Sequence, residues 1–254
     1  KIGIGIISSH IHEHSVWQAI TKGLISKLDS AKFEIFLFGL ATVRDDETIF
    51  AETHAAGFFQ GNFSLHQWVE KIQCVSPDIL IYPEIGMDRM TIRLACLKLA
   101  PTQIVAWGHP ETTGIPAIDY YWSSEMFEPD IAEKNYSEQL LTLPNLGCWY
   151  SPTNIPDIEI NLFNLGIDNE IPLLLCPSTP SKYTPRYDQI LIEIAKKLGD
   201  CQFIFFYHSD YRLADLTKKL ASRIETSFKN AQLRFEDFFI FKKKKKKPEF
   251  HSLM

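Results

Sequence analysis

Three histidines at alternate positions, in Ser8-Ser9-His10-Ile11-His12-Glu13-His14-Ser15, stand between an apolar run and an amphipathic one. Residues of these types at this spacing support three readings. The segment is a polar loop capping the following helix, with Ser15 as N-cap. Alternatively it holds a metal, although no carboxylate or thiol partner sits at ligand spacing. Or it places one working histidine at the carboxyl end of a strand, near a ligand anion. A second polar stretch, Pro177-Ser178-Thr179-Pro180-Ser181-Lys182-Tyr183-Thr184-Pro185, follows another apolar run. Hydroxyls, backbone N–H groups and one lysine at a strand-to-helix turn suit a phosphate. A third stretch, Gly108-His109-Pro110-Glu111-Thr112-Thr113-Gly114, carries more bending residues than a turn needs, so it reads as a loop shaped to meet a ligand. The chain has no Gly-x-Gly-x-x-Gly after its first strand, no P-loop and no Asp-x-Asp pair. Nicotinamide chemistry is therefore disfavoured, and a bound diphosphate would be neutralised by lysine and helix dipoles rather than by a metal.

The elements that would carry these loops alternate. Strands are expected at 2–8, 33–40, 79–82, 103–107, 120–122 and 138–143, with helices at 16–28, 65–73 and 90–99. A proline-containing, acidic stretch at 151–170 reads as a linker. Strands are expected again at 173–176, 202–207 and 238–241, with helices at 186–198 and 213–228. This is the pattern of an α/β protein with parallel sheets covered by helices. The expected organisation is two Rossmann-like domains facing a cleft, 1–150 and 171–254. Ligands of such sheets bind outside the carboxyl ends of the strands, where all three polar loops fall.

Composition narrows the classes. At 254 residues and 45% hydrophobic, the chain can bury a substantial core. A net charge of -5 argues against a nucleic-acid partner. The only basic block, Lys242 to Lys247, reads as a solvated run. No apolar run is long enough for a membrane span, no signal peptide is visible, and the five scattered cysteines fit reduced thiols and a cytoplasmic location. The chain opens on Lys1 and closes within an expected helix at Ser252-Leu253-Met254, so it is expected to be a piece of a longer protein with an incomplete second domain.

Read together, "KIGIGIISSHIHEHSVWQAITKGLI", "AWGHPETTGIPAIDYYWSSEMFEP", "YSEQLLTLPNLGCWY" and "CPSTPSKYTPRYDQI" resemble, in order and over nearly the whole chain, the catalytic region of glycosyltransferase family 41. That family contains O-linked N-acetylglucosamine transferases, SPINDLY-type proteins and bacterial cytoplasmic N-glucosyltransferases. The resemblance implies a GT-B fold and a metal-independent, inverting transfer from a UDP-sugar, UDP-GlcNAc or UDP-glucose, to protein side chains. It implies no further cofactor, and tetratricopeptide repeats upstream. It puts the family's base-candidate histidine on His14 and its diphosphate-contacting lysine on Lys182. It places His109, Thr112, Thr113 and Thr179 among the substrate-binding residues. The family's second domain continues beyond this sequence with a Gly-rich turn and a ribose-binding acid, so the 254 residues alone are expected to be inactive. Lys242 to Lys247 departs from the family pattern. A nucleotide-sugar epimerase, a small-molecule glycosyltransferase of the same fold and a non-catalytic binding module remain alternatives.

Overall fold

The computed structural model describes residues 1–149, 151, 161–207 and 211–243. The chain divides into two compact units, Lys1–Pro152 and Thr153–Met254. The first is built on seven strands: β1 (Ile2–Ser8), β2 (Phe33–Gly39), β3 (Gly57–Gln60), β4 (Ile79–Tyr82), β5 (Thr102–Ala106), β6 (Tyr120–Ser124) and β7 (Gln139–Leu143). Their order is β3-β2-β1-β4-β5-β6-β7, and every neighbouring pair is parallel. In a parallel sheet both faces are covered, which is why β1 reads as a continuous apolar run, with Ile4, Ile6 and Ile7 all buried. One face packs Trp68, Ile72, Leu80 and Tyr82 into a core, the other Trp17, Ile20, Ile25 and Leu37.

The covering helices are α1 (Lys22–Lys27), α2 (Asp46–His54), α3 (Leu65–Val75) and α4 (Arg89–Ala95). The helix expected at 16–28 opens with a π-helical segment, Trp17–Thr21, before α1. The sequence pattern also passed over α2 and β3. Helix α2 starts on a capping box in which Asp45 accepts from the Thr48 N–H, 2.9 Å. The helix expected at 90–99 stops early, at Ala95.

The second unit has a three-stranded parallel sheet, β10-β9-β8, from β8 (Leu173–Cys176), β9 (Gln202–Tyr207) and β10 (Phe239–Lys243). Among the described residues, helices α5 (Asp188–Leu198) and α6 (Tyr211–Asn230) accompany it. Phe203 and Phe205 of β9 pack with Ile192, Leu220, Ile224 and Phe228 on one face, while Ile204 and Phe206 meet Ile167 on the other. The expected solvated lysine run is partly a strand: Lys242 and Lys243 pair with Phe206 and Tyr207, continuing β10. The remaining lysines, the expected terminal helix and part of the expected linker (152–160) lie outside the described residues. Residues Phe163–Leu165 of that linker form one 3-10 turn. All five cysteines are unpaired. Among the described residues no helix is long and apolar enough to cross a membrane.

Candidate functional site

Strand order in the first sheet reverses at β1, which pairs with β2 on one side and β4 on the other. The crevice at such a switch point is where open α/β sheets bind ligands. Two segments leave the sheet there: Ser8 to Ser15 after β1, and Pro83 to Asp88 after β4.

A fully buried carboxylate joins them. Glu84 accepts the Ser8 hydroxyl on both oxygens at 3.0 Å, the Ser9 N–H at 3.0 Å and the Ser9 hydroxyl at 3.3 Å. The Ser8 oxygen in turn accepts the His10 N–H at 2.9 Å. Burial pushes the Glu84 carboxyl up to about 7, against the pull of these hydrogen bonds. This residue escaped the sequence reading. Its one signal was an acid set directly after an apolar strand, in Ile81-Tyr82-Pro83-Glu84-Ile85, where solvent exposure was the default expectation.

The three histidines form one stack. The His10 and His14 rings lie face to face, centroids 3.8 Å apart at 12°, and His12 stands edge-on to both at 5.8 Å. Both ring nitrogens of His10 are buried without a hydrogen-bond partner among the described residues. Burial first, then His14 and His12, push the His10 imidazole down to about 4. Burial and His12 also lower His14. The helix cap differs from expectation: the Val16 N–H donates to His14 Nδ1 at 3.2 Å, so His14, not Ser15, caps the helix. With Nδ1 accepting, the proton of the neutral ring sits on Nε2, which leaves His14 a hydrogen-bond donor at that atom. The loop is pinned further by Asp45, which accepts the Glu13 N–H at 2.8 Å, and by the Thr48 hydroxyl on the Ile11 carbonyl at 2.9 Å.

The loop after β5 reaches the same edge of the sheet. The Gly108 N–H donates to the Pro83 carbonyl at 3.1 Å, and a Cβ at Gly108 would lie 2.3 Å from that oxygen. His109 packs its ring over Gly86, whose φ of +105° only glycine adopts freely. The two threonines bond to one carboxylate within the first unit. The Thr112 hydroxyl donates to Glu138 Oε2 at 2.7 Å, and Thr113 gives its N–H (2.8 Å) and hydroxyl to Oε1. Burial works upward on Glu138, but these bonds outweigh it and hold the carboxyl below its ordinary range. The hydroxyls thus build the loop by tying it to the start of β7.

In the second unit, Thr179 and Lys182 share the turn that follows β8, where Pro180–Lys182 form a 3-10 segment. The turn is fixed from behind. Tyr183 Oη accepts the Ser178 N–H at 3.0 Å, and Arg223 grips Asp188 with two bonds (2.8 and 2.9 Å) and the Tyr183 carbonyl with a third (2.7 Å). Lys182 is exposed and makes no ion pair among the described residues. Among the described residues, no three His, Cys, Asp or Glu side chains are arranged to hold a metal ion.

No family model matches the chain. The UDP-glucose:protein N-beta-glucosyltransferase of Actinobacillus pleuropneumoniae serotype 5b is 28% identical over 196 residues, 73% of this chain and 30% of that protein. Its counterpart from serotype 7 is 30% identical over 61% of the chain and 25% of its own length. A probable UDP-N-acetylglucosamine–peptide N-acetylglucosaminyltransferase SPINDLY of Solanum lycopersicum is 40% identical over 60 residues, 24% of this chain and 6% of its own. The chain therefore spans less than a third of the length of these curated relatives. A mutant of the Thermobaculum terrenum O-GlcNAc transferase superposes with a TM-score of 0.81 at 16% identity, over 98% of this chain and 46% of the other. That likeness shows the fold, an α/β architecture of the GT-B type.

Proposed function

As a homologue of UDP-sugar-dependent protein glycosyltransferases, the chain carries, we propose, the donor-binding and catalytic groups for metal-independent, inverting sugar transfer to protein side chains. The observation that carries this reading is the similarity to a UDP-glucose:protein N-beta-glucosyltransferase over 73% of the chain, and beside it stands a stacked histidine loop at the sheet's switch point.

Chemically, transfer from a nucleotide diphosphate sugar asks for two things: charge stabilisation at the departing diphosphate, and an oriented acceptor at the anomeric carbon. Lys182 supplies the first in this reading. It is exposed on the turn at a strand's carboxyl end that also carries Thr179. One preorganised donor of this kind is typically worth about 3 kcal/mol of barrier. His14 acts at the acceptor side. Because its Nδ1 is held by the Val16 N–H, the ring serves as a hydrogen-bond donor through Nε2, and orients a group rather than removing its proton. His109 lies on the same edge of the sheet, and Thr112 and Thr113 hold its loop. The donor is UDP-glucose or UDP-GlcNAc, and the five unpaired thiols accord with a cytoplasmic protein. Tetratricopeptide repeats ahead of this region, as the family resemblance implies, would present the acceptor.

The test is isotope-labelled transfer by the intact protein. Label from one of the two UDP-sugars is expected to enter polypeptide, with undiminished rate in EDTA. Release of free sugar without labelled polypeptide would overturn the reading, and loss of rate on chelation, restored by manganese, would overturn its lysine-based account of the leaving group.

A further inference from the structure

The loops following β5 and β6 enclose a separate concavity of about 310 Å³. The rings of Trp107, Tyr121, Phe127 and Tyr136 line it, with Ser123 and Glu128 as its polar wall. Trp107 and Phe127 meet edge to face at 5.5 Å between centroids, and Tyr121 and Tyr136 lie tilted at 4.5 Å. Glu128 accepts the Ser123 hydroxyl at 2.5 Å and the Tyr136 phenol at 2.7 Å, both on Oε1. Its Oε2 has no donor and the carboxylate has no cationic partner among the described residues.

The surroundings are negative. Burial pushes the Tyr121 phenol up to about 12, and Glu128, Glu138 and Glu111 push it the same way. Burial raises Tyr136 as well, followed by its bond to Glu128 and that residue's charge. Among the described residues no lysine or arginine acts on either phenol. Aromatic faces present the negative side of their quadrupole, so ring walls and an unmatched carboxylate oxygen favour the same kind of guest. A neutral sugar would stack on the rings but leave the Glu128 carboxylate of the pocket wall without a counter-charge.

We propose that this pocket receives an organic cation, the ammonium or guanidinium of a lysine or arginine side chain on the polypeptide acceptor. The source of the cation rests on the glycosyl-transfer reading; the affinity for a cation does not. Strands β5 and β6 run parallel to β1 and β4, so the pocket opens at the same edge of the sheet as the histidine loop. The Gly108–Pro83 hydrogen bond ties the two regions together. A basic residue seated here would hold the acceptor segment beside the crevice.

The experiment has two arms. In the first, the indole resonance of Trp107 in the intact protein is followed while Nα-acetyl-arginine amide or its neutral analogue Nα-acetyl-citrulline amide is added. The arginine compound is expected to saturate the shift at a concentration about tenfold lower, as a ring-stacked cation with a charge-assisted hydrogen bond would give. That advantage is expected to vanish in Glu128→Gln. It should shrink several-fold in Phe127→Leu, which removes one half-exposed ring and leaves the carboxylate cluster untouched. In the second arm, acceptor peptides carrying arginine or citrulline beside the modified residue are compared. A KM about tenfold lower for arginine is expected, and its loss in Glu128→Gln. Equal binding of the two amides would overturn the cation site. An arginine preference confined to the free amides would overturn the acceptor as its source. Absence of transfer to every peptide would count against the glycosyltransferase reading and leave the first arm to decide the cation site.

Discussion

Glu84 and His10 titrate in opposite directions from their ordinary values, within one loop. Burial raises Glu84 from 4.5 to about 7, so between those pH values the folded chain holds a proton that the unfolded chain has released. Its contribution to stability is full below about 4.5, declines as pH rises through 7, and amounts to something on the order of 3 kcal/mol. His10 is lowered from 6.5 to about 4, so its contribution is present above 6.5 and lost as pH falls towards 4. The two slopes oppose each other. Replacing Glu84→Gln removes one of them. The stability of this variant relative to the parent is expected to improve steadily from pH 4.5 to above 7 in urea titrations; a difference that stays constant with pH would show that Glu84 does not titrate there. For the proposed reaction, Lys182→Ala is expected to weaken UDP binding roughly ten- to a hundredfold, the value of a charged hydrogen bond to phosphate, measured by calorimetry. His14→Asn keeps a capping acceptor and removes the ring. It is expected to lower kcat much more than UDP affinity, and unchanged turnover would reduce His14 to a helix cap.

The elements that were readable in the sequence are those whose burial is simple. Strands β1, β8 and β9 are apolar runs bounded by polar residues, and their positions follow from that alone. Helix α2 was not readable because Ile49, Phe50 and Ala51 are adjacent, which gives no helical stripe, and because its capping box pairs Asp45 with Thr48 rather than a serine with a glutamate. The histidine loop and the turn after β8 were found as polar interruptions at strand ends. The stacking of His10 on His14, the capping role of His14 and the buried Glu84 depend on the folded arrangement, Glu84 on contacts across 75 residues, which no local pattern carries. The loop after β5 was recognised by its glycines and prolines, but where its threonines point is decided by Glu138, an acid with no distinguishing local pattern. Gly108 shows how strict that loop is. An added Cβ meets the Pro83 oxygen at 2.3 Å, so Gly108→Ala must break a hydrogen bond and push the loops after β4 and β5 away from each other. We expect a cost of about 2–3 kcal/mol in chemical denaturation. At Gly114 nothing lies within 4 Å and only the positive φ matters, so Gly114→Ala should cost about 1 kcal/mol. Equal costs at both sites would remove the steric argument.

At the scale of the molecule, each unit has its own apolar core, and the chain's probes are unevenly shared. All five tryptophans, at 17, 68, 107, 122 and 149, lie in the first unit. Phe228, fully buried against Ile224 and Phe239, belongs to the second. Phe228→Ala is expected to cost about 3–5 kcal/mol locally, shifting a portion of the far-ultraviolet circular dichroism transition while leaving the tryptophan fluorescence transition in place. A fluorescence midpoint that moves equally would mean that the two units unfold as one. The strand order has a further consequence, for synthesis on the ribosome. The first sheet grows outward from the strand made earliest: β2 and β3 extend it on one side, and β4 to β7 then extend it in turn on the other. Each new strand therefore finds an open edge, and none has to be threaded between partners already joined. The cost falls on β1 itself, whose second edge waits for Ile79 to Ile81, roughly 70 residues later, which is several seconds of translation at about 5–20 residues per second. During that interval the most apolar strand of the nascent chain is paired on one side only, and that is when a chaperone would be needed most.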